Sequence, residues 1–279
     1  MPIDWTKPAE VLVVHGVQTG SSADVDCDAK VRRIVERNLA SSHLEREFGV
    51  SNYVYEDVND DAVRFYELLA QAILSGEPLA GAALGTVIDL VGDVVIAAAG
   101  GSTAGRIREG LRAGIMAAYE AGRQLVVVAH SLGTVYALDV VNGLIGEDDV
   151  FVGDERDTWP VQGLVTMGSP LGLEIDLGPI EIFESRRIET LPGAEFEVFP
   201  WHNYFNALDP VVSGRVFGAP VEVRGSRGPV ERRYGRETDA ARWLLQGHRI
   251  TSGRQWLLAH TAYWKNPRIG GKIVDLLWG

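Results

Sequence analysis

The sequence predicts an α/β fold in which a mainly parallel central sheet is flanked by helices. Two kinds of segment alternate along the chain: short continuous apolar runs rich in β-branched residues, and stretches whose apolar residues recur every three or four positions. The first kind is typical of strands buried on both faces, and the second of helices packed on a sheet. No Pro- or Gly-rich linker divides the 279 residues, so we predict a single domain, 1–279.

Each predicted element follows from one of these two patterns. The apolar runs that predict strands lie in segments 10–16, 53–58, 125–129, 161–172 and 195–212. Helical spacing is found in segments 26–39, much of 60–122, 133–145 and about 269–277. Segments of about 60–110 and 213–255 exceed what a minimal sheet needs, and we predict that they form lid or cap insertions.

Composition narrows the classes of function. The formal net charge of −12 argues against an overall attraction to nucleic acid or to anionic membranes. Cys27 is the one cysteine, so no intrachain disulfide is expected. The start of the chain lacks a basic region followed by an apolar one, which favours a cytoplasmic location of bacterial type over secretion. The oligomeric state is left open by these observations.

One apolar segment, residues 79–101, is long enough to span a bilayer. It carries Asp89 and Asp93 near its middle, and each acid there costs roughly 2.5 to 3.5 kcal/mol on insertion scales. We therefore expect no transmembrane segment here and interpret these residues as buried or lid helices. A lid would cover a pocket for an apolar, lipid-like acyl or alcohol group, and an ordinary pair of core helices is an equal alternative.

The stretch AHSLG, residues 129–133, places Ser131 in the turn between a buried strand and a helix. Small residues two before and two after the serine, Ala129 and Gly133, are what a sharp, strained strand-to-helix turn requires. Such a turn exposes the hydroxyl and directs the N-terminal end of the helix at the reacting oxygen. We predict that Ser131 is a nucleophile. Ser102 lacks a preceding strand, and Ser169 precedes Pro170 and a loop, so we assign Ser169 and Pro170 to the substrate pocket.

A nucleophilic serine also needs donors for the oxyanion. The backbone N–H of Leu132, directly after the serine, is the first candidate. The first strand ends in His15-Gly16, and a glycine there lets the next backbone N–H, that of Val17, approach the site closely. We therefore predict an oxyanion hole made by Val17 and Leu132, with Gly16 lining the substrate pocket. A plain turn with a core histidine is the alternative.

The general base and its acid are chosen by position in the chain. His260 follows a short apolar run and precedes the last helix, and it is favoured over His248; the alternative is a hydrogen-bonded core histidine. Asp209 comes just after a predicted strand, with Pro210 fixing the turn. Competing acids lie on a charged connection, Asp154 and Asp157, or after the wrong strand, Glu174 and Asp176. The predicted order is Ser131, Asp209, His260.

With these motifs the chain resembles the α/β-hydrolases of the serine lipase and esterase type. The matching segments are VVHGV, VVVAHSLG, MGSPLG, NALDPV and AHTAYW. The resemblance implies hydrolysis of a carboxylic ester through an acyl-enzyme, with no metal and no organic cofactor. Ala129 departs from the family pattern, which has glycine there. A serine peptidase or amidase on the same scaffold, and a non-catalytic binding module, remain as alternatives.

The segment between Asp209 and His260 reverses the charge of the chain. Nine arginines there outnumber four acids, which could attract an anionic substrate such as a phospholipid headgroup. A solvated flap or an oligomer contact is the favoured interpretation of such a run. We therefore expect a small-molecule ester as the partner, with no nucleic acid.

Overall fold

The computed structural model describes residues 3–15, 26–53, 101–145, 159–169, 199–206, 209, 231–234, 243–251 and 257–279. The strands are β1 Ala9–Val14, β2 Phe48–Tyr53, β3 Leu125–His130, β4 Val161–Met167, β5 Phe199–Asn206, β6 Glu231–Tyr234 and β7 Trp243–Ile250. The helices are α1 Cys27–Ser41, α2 Gly101–Glu120, α3 Gly133–Ile145, α4 Leu257–His260 and α5 Pro267–Trp278, and a 3-10 helix covers Ala262–Lys265.

The seven strands form one sheet in the order β2-β1-β3-β4-β5-β7-β6. Every neighbouring pair is parallel except β6 and β7, which are antiparallel at one edge. Parallel strands require crossover connections, and helices that make them cover both faces of a sheet. The predicted fold class, α/β with a mainly parallel central sheet flanked by helices, is confirmed.

The central strands β1 and β3 are fully buried, and apolar side chains occupy both of their faces. Val11 and Val13 of β1 and Val126 and Val128 of β3 belong to the core cluster that α1 and α5 complete. Alternate residues, such as Leu12, face the opposite way, where β1 packs against α2. Side chains alternate in this manner along any strand, so continuous apolar runs were the correct signal for β1 and β3.

The second strand begins earlier than the sequence predicted. The prediction was residues 53–58, whereas β2 is Phe48–Tyr53 and pairs with β1 from Ala9↔Phe48 to Val14↔Tyr53. As an edge strand, β2 is only partly buried and its sequence, FGVSNY, has a weak apolar pattern. Residues 54–58 lie outside the described residues.

Two further strands lie between Asp209 and His260, where the sequence predicted a cap. Residues 231–234 and 243–250 are β6 and β7 of the central sheet. The structure does not describe residues 60–100, and in segment 213–255 it describes only these two strands and residue 251. The lid predictions for both segments therefore stay predictions. Within the described chain, no helix has the length and apolarity needed to cross a membrane.

Candidate active site

Ser131 lies in a tight turn between β3 and α3. Its φ of 53° is in the left-handed region, which non-glycine residues seldom adopt and which costs of order 1–3 kcal/mol. The Ser131 N–H donates to the carbonyl oxygen of Met167 at 2.9 Å. The N–H and hydroxyl of Thr134 both donate to the carbonyl oxygen of Ser131, at 3.0 and 2.7 Å. The surrounding structure thus holds this strained residue from both sides.

The glycine two residues after the serine is explained by the end of β1. A Cβ at Gly133 would lie 2.6 Å from the carbonyl oxygen of Val14 and 3.1 Å from the carbonyl of His15. Ala129, two residues before the serine, is fully buried in β3 between Val14 and Thr166 of the neighbouring strands. The requirement for small residues on each side of Ser131 therefore comes from the strands that pack against the turn.

The predicted acid and base lie together. Nδ1 of His260 donates to Oδ2 of Asp209 at 2.8 Å, and each residue is only 2 % exposed. The Asp209 N–H donates to the carbonyl oxygen of Asn206, the last residue of β5, at 3.0 Å. With its proton on Nδ1, a neutral imidazole has its lone pair on Nε2. Within the described residues, Nε2 of His260 is buried and makes no hydrogen bond.

The serine turn and the imidazole of His260 both contact the carboxyl end of β4. Ser131 bonds the carbonyl oxygen of Met167, and the next residue, Gly168, lies against the ring of His260. Gly168 has a φ of 56°, and a Cβ there would lie 3.0 Å from Cε1 and Nδ1 of His260. The two-residue segment 167–168 therefore contacts both the serine turn and the imidazole.

The competing base, His248, has a different partner. Its Nε2 is hydrogen-bonded to Nδ1 of His202 at 3.0 Å, and the two rings are stacked across β5 and β7. Burial lowers the pKa of both imidazoles, followed for each by the positive charge of Lys272. The structure thus pairs His260, and not His248, with Asp209.

Ser169 contacts the serine turn through a chain of hydroxyl groups. Its Oγ lies 2.8 Å from Oγ1 of Thr134, whose proton is donated to the carbonyl oxygen of Ser131. Since a hydroxyl has one proton, Ser169 is the donor of this pair. The predicted pocket residues Gly16 and Pro170 and the oxyanion donor Val17 lie outside the described residues, and Leu132 lies directly before the first residue of α3.

Two side chains that the sequence analysis did not assign to the site contact its residues directly. Nε2 of His130 donates to the carbonyl oxygen of His260 at 2.8 Å. The Tyr263 hydroxyl donates to Oδ2 of Asp209 at 2.7 Å. One sequence signal could have assigned Tyr263 to the site: it follows the predicted base, His260, by three residues, in a segment without an extended apolar run.

Burial sets the charge state of His130. Its pKa is held well below the usual value by burial first, then by the neighbouring imidazoles of His260 and His15. The ring of His130 lies 4.5 Å from that of His260, centroid to centroid, and 5.0 Å from that of Trp264. A neutral His130 has one N–H, and the bond to the His260 carbonyl places it on Nε2.

Among the described residues, no group of three or more His, Cys, Asp and Glu side chains could hold a metal ion. The hydrogen-bonded Asp209–His260 pair has the arrangement in which a carboxylate orients an imidazole.

Comparison with known proteins gives distant structural likenesses. No protein-family model matches the chain, and no curated protein matches it. An iodinated acetyl xylan esterase is 9% identical, covering 97% of both chains, with a TM-score of 0.35. A cutinase-like protein from Cryptococcus sp. is 10% identical (98% of this chain, 96% of that chain, TM-score 0.35). The RedJ thioesterase of the prodiginine biosynthetic pathway in Streptomyces coelicolor is 13% identical (99% of this chain, 88% of that chain, TM-score 0.35).

Because the identities and TM-scores are this low, these likenesses do not indicate a function. A function can be inferred only from the site itself. The chain has an α/β fold with a mainly parallel sheet, and a strained serine turn joins β3 to α3, as the resemblance to the α/β-hydrolases predicted.

Proposed function

We propose that the protein is a serine hydrolase that cleaves carboxylic esters through Ser131, Asp209 and His260. The observation that carries the proposal is the buried 2.8 Å hydrogen bond from His260 to Asp209, beside the strained turn of Ser131. A buried carboxylate that fixes the imidazole tautomer, next to a serine in a strand-to-helix turn, supports nucleophilic catalysis. A purely structural role for His260 would not explain why a strained serine lies nearby.

In the proposed reaction, Nε2 of His260 removes the hydroxyl proton as Oγ of Ser131 attacks the acyl carbon. The tetrahedral intermediate then collapses, His260 protonates the departing alkoxide, and an acyl-enzyme remains. Water attacks the acyl-enzyme with His260 again as the base, which releases the carboxylic acid and restores the serine. Asp209 stabilises the imidazolium that forms in each half of the reaction.

Backbone groups would stabilise the developing oxyanion. Leu132 lies at the N-terminal end of the 13-residue helix α3, where unsatisfied N–H groups and the helix dipole favour negative charge. We propose its N–H and that of Val17 as the two donors. One missing donor in such a hole typically costs about 10²- to 10³-fold in kcat.

Esters are the proposed substrates because the alkoxide of an ester leaves more readily from the tetrahedral intermediate than the amide anion that an amide would release. Gly16, Ser169 and Pro170 are the proposed residues of the substrate pocket. Ser131 is only 2 % exposed, so a first substrate should be a short acyl ester, such as p-nitrophenyl butyrate. The matched anilide distinguishes an esterase from an amidase.

The test is covalent labelling with diisopropyl fluorophosphate, which is small enough for a buried serine, followed by mass spectrometry of the adduct. We expect an adduct on Ser131 in the wild type, none in Ser131→Ala, and a rate reduced by about 10³-fold or more in His260→Ala. His248→Ala is the matched control, because it removes the competing imidazole and should label at the wild-type rate. A folded wild type without the adduct and without esterase activity would refute the proposal.

A further inference from the structure

The Tyr263 hydroxyl is held between a donor and an acceptor. It accepts a hydrogen bond from the backbone N–H of Asn206 at 2.9 Å and donates to Oδ2 of Asp209 at 2.7 Å. A phenol has a single proton. Because the backbone N–H of Asn206 is itself a donor, the Tyr263 proton can be donated only to the carboxylate of Asp209. The direction of the Tyr263–Asp209 bond is therefore fixed by the backbone.

The oxygen that Tyr263 bonds is the one that orients the imidazole. Oδ2 of Asp209 accepts from Nδ1 of His260 at 2.8 Å as well as from Tyr263. Tyr263 is fully buried. Burial, and next the negative charge of Asp209, raise the pKa of Tyr263, so the phenol keeps its proton and remains a donor.

Tyr263 also closes a ring of hydrogen bonds around the turn that bears the acid. The Asp209 N–H donates to the carbonyl oxygen of Asn206, and the Asn206 N–H donates to Tyr263, which donates to Asp209. The side chain of Asp209 is thereby tied to its own backbone turn at the end of β5. A carboxylate held in this manner cannot rotate away from His260 without breaking a charge-assisted hydrogen bond.

We propose that Tyr263 is a positioning residue for the catalytic acid: it holds Oδ2 of Asp209 in place so that Nδ1 of His260 keeps its proton and Nε2 faces the serine. The inference rests on the proposed function. Tyr263 acts through Asp209 and does not touch the substrate. Its loss should therefore lower kcat and leave KM unchanged.

The test is a double-mutant cycle with Tyr263→Phe and Asp209→Asn, measured as kcat and KM for p-nitrophenyl butyrate. We expect Tyr263→Phe to lower kcat about tenfold in the wild-type background, the effect of one hydrogen bond to a charged group. In the Asp209→Asn background the same substitution should change kcat less than about twofold, because residues that act as a unit are not additive. Tyr204→Phe is the matched control.

Tyr204 suits the comparison because it is also buried and its hydroxyl donates to a backbone carbonyl, that of Arg268, at 3.3 Å. Tyr204→Phe should therefore keep the wild-type kcat. Equal losses of kcat from Tyr263→Phe in both backgrounds, or no loss in the wild-type background, would overturn the inference while labelling of Ser131 upheld the proposed function. A folded wild type that neither labels nor hydrolyses the ester overturns both.

A second variant covers the case in which Tyr263→Phe does not fold. Replacing Tyr263 with 3-fluorotyrosine keeps the ring and the hydroxyl and makes the phenol a stronger donor. We expect the downfield proton resonance of Nδ1 of His260 to shift relative to the wild type, because the same carboxylate oxygen accepts both bonds. An unchanged resonance would contradict the inference.

Discussion

The ring of His260 lies directly against the backbone of Gly168, at the carboxyl end of β4. A Cβ at position 168 would stand 3.0 Å from Cε1 and from Nδ1 of the imidazole, and the φ of 56° disfavours any residue with a side chain. The imidazole of the proposed base therefore fits in this position only because residue 168, directly after β4, has no side chain.

Gly168→Ala should move His260 and reduce the esterase activity. The left-handed backbone alone costs an L-residue roughly 1–2 kcal/mol, and the added methyl group would displace the imidazole, for which a shift of 1 Å can cost about 100-fold in rate. We expect a folded protein with a much lower kcat and slower labelling of Ser131. Wild-type kcat in this variant would show that the imidazole is not held by this contact.

His130 should support His260 through the backbone carbonyl of His260. Because its neutral Nε2–H donates to the carbonyl oxygen of His260 at 2.8 Å, His130→Ala leaves that buried carbonyl without this donor. The expected loss is about 1–3 kcal/mol in the free energy of unfolding, together with a lower kcat. Urea denaturation and ester hydrolysis measure the two effects.

His130→Gln is the matched variant, because its side-chain amide can reach the same carbonyl oxygen. We expect it to recover part of the kcat that His130→Ala loses. If the two variants lost equal activity, packing of the ring against Trp264 would be the role of His130, and the hydrogen bond would not matter for the rate.

Strands β1 and β3, which are buried on both faces, could be predicted from the sequence, whereas β2, β6 and β7 could not. Continuous apolar runs marked β1 and β3 because helices cover both sides of these strands. At the edges, β2 is partly exposed and β6 has the charged sequence ERRY, so neither strand has a continuous apolar run. These edge elements depend on pairing with a neighbour, which a local window does not contain.

The same distinction applies to the site. Ser131 was predicted as the nucleophile from its local turn sequence, and Asp209 and His260 as acid and base from chain order beside predicted elements. The contacts of His130 and Tyr263 depend on how α4 and the 3-10 helix pack against the ends of β3 and β5. No local spacing encodes such a contact, although the glycine after β4, Gly168, was a usable signal for a close approach.

Two glycines of helix α3 should respond oppositely to the same substitution. A Cβ at Gly133 would lie 2.6 Å from the carbonyl oxygen of Val14, whereas a Cβ at Gly143 would meet nothing within 4 Å. Gly133→Ala should shift the serine turn and destabilise the fold by about 1–3 kcal/mol, since extra atoms in a packed site force backbone movement. It should also slow labelling of Ser131.

Gly143→Ala is the matched control in the same helix. Alanine favours a helix over glycine by about 1 kcal/mol, and residue 143 is exposed, so the midpoint of thermal unfolding should rise and labelling should be unchanged. A Gly133→Ala variant as stable and as reactive as the wild type would mean that β1 can move away from the turn at little cost.

The histidine pair on β5 and β7 should make the fold sensitive to acid. Burial, followed by the positive charge of Lys272 and the His248 ring, lowers the pKa of His202 to about 3 from an ordinary value of 6.5. Between these two pH values the unfolded chain binds a proton that the folded chain does not, so stability rises with pH in this window. The contribution is complete above about pH 6.5 and is lost as the pH falls toward 3.

From about pH 6.5 to about pH 4 the loss should approach 3 kcal/mol, at about 1.4 kcal/mol for each unit of pH. His202→Gln removes the titrating ring but keeps an amide able to bond His248, so its free energy of unfolding should depend less on pH. Urea denaturation of both proteins at several pH values measures the difference. Parallel curves for wild type and variant would show that the proton uptake on acid unfolding belongs to other groups.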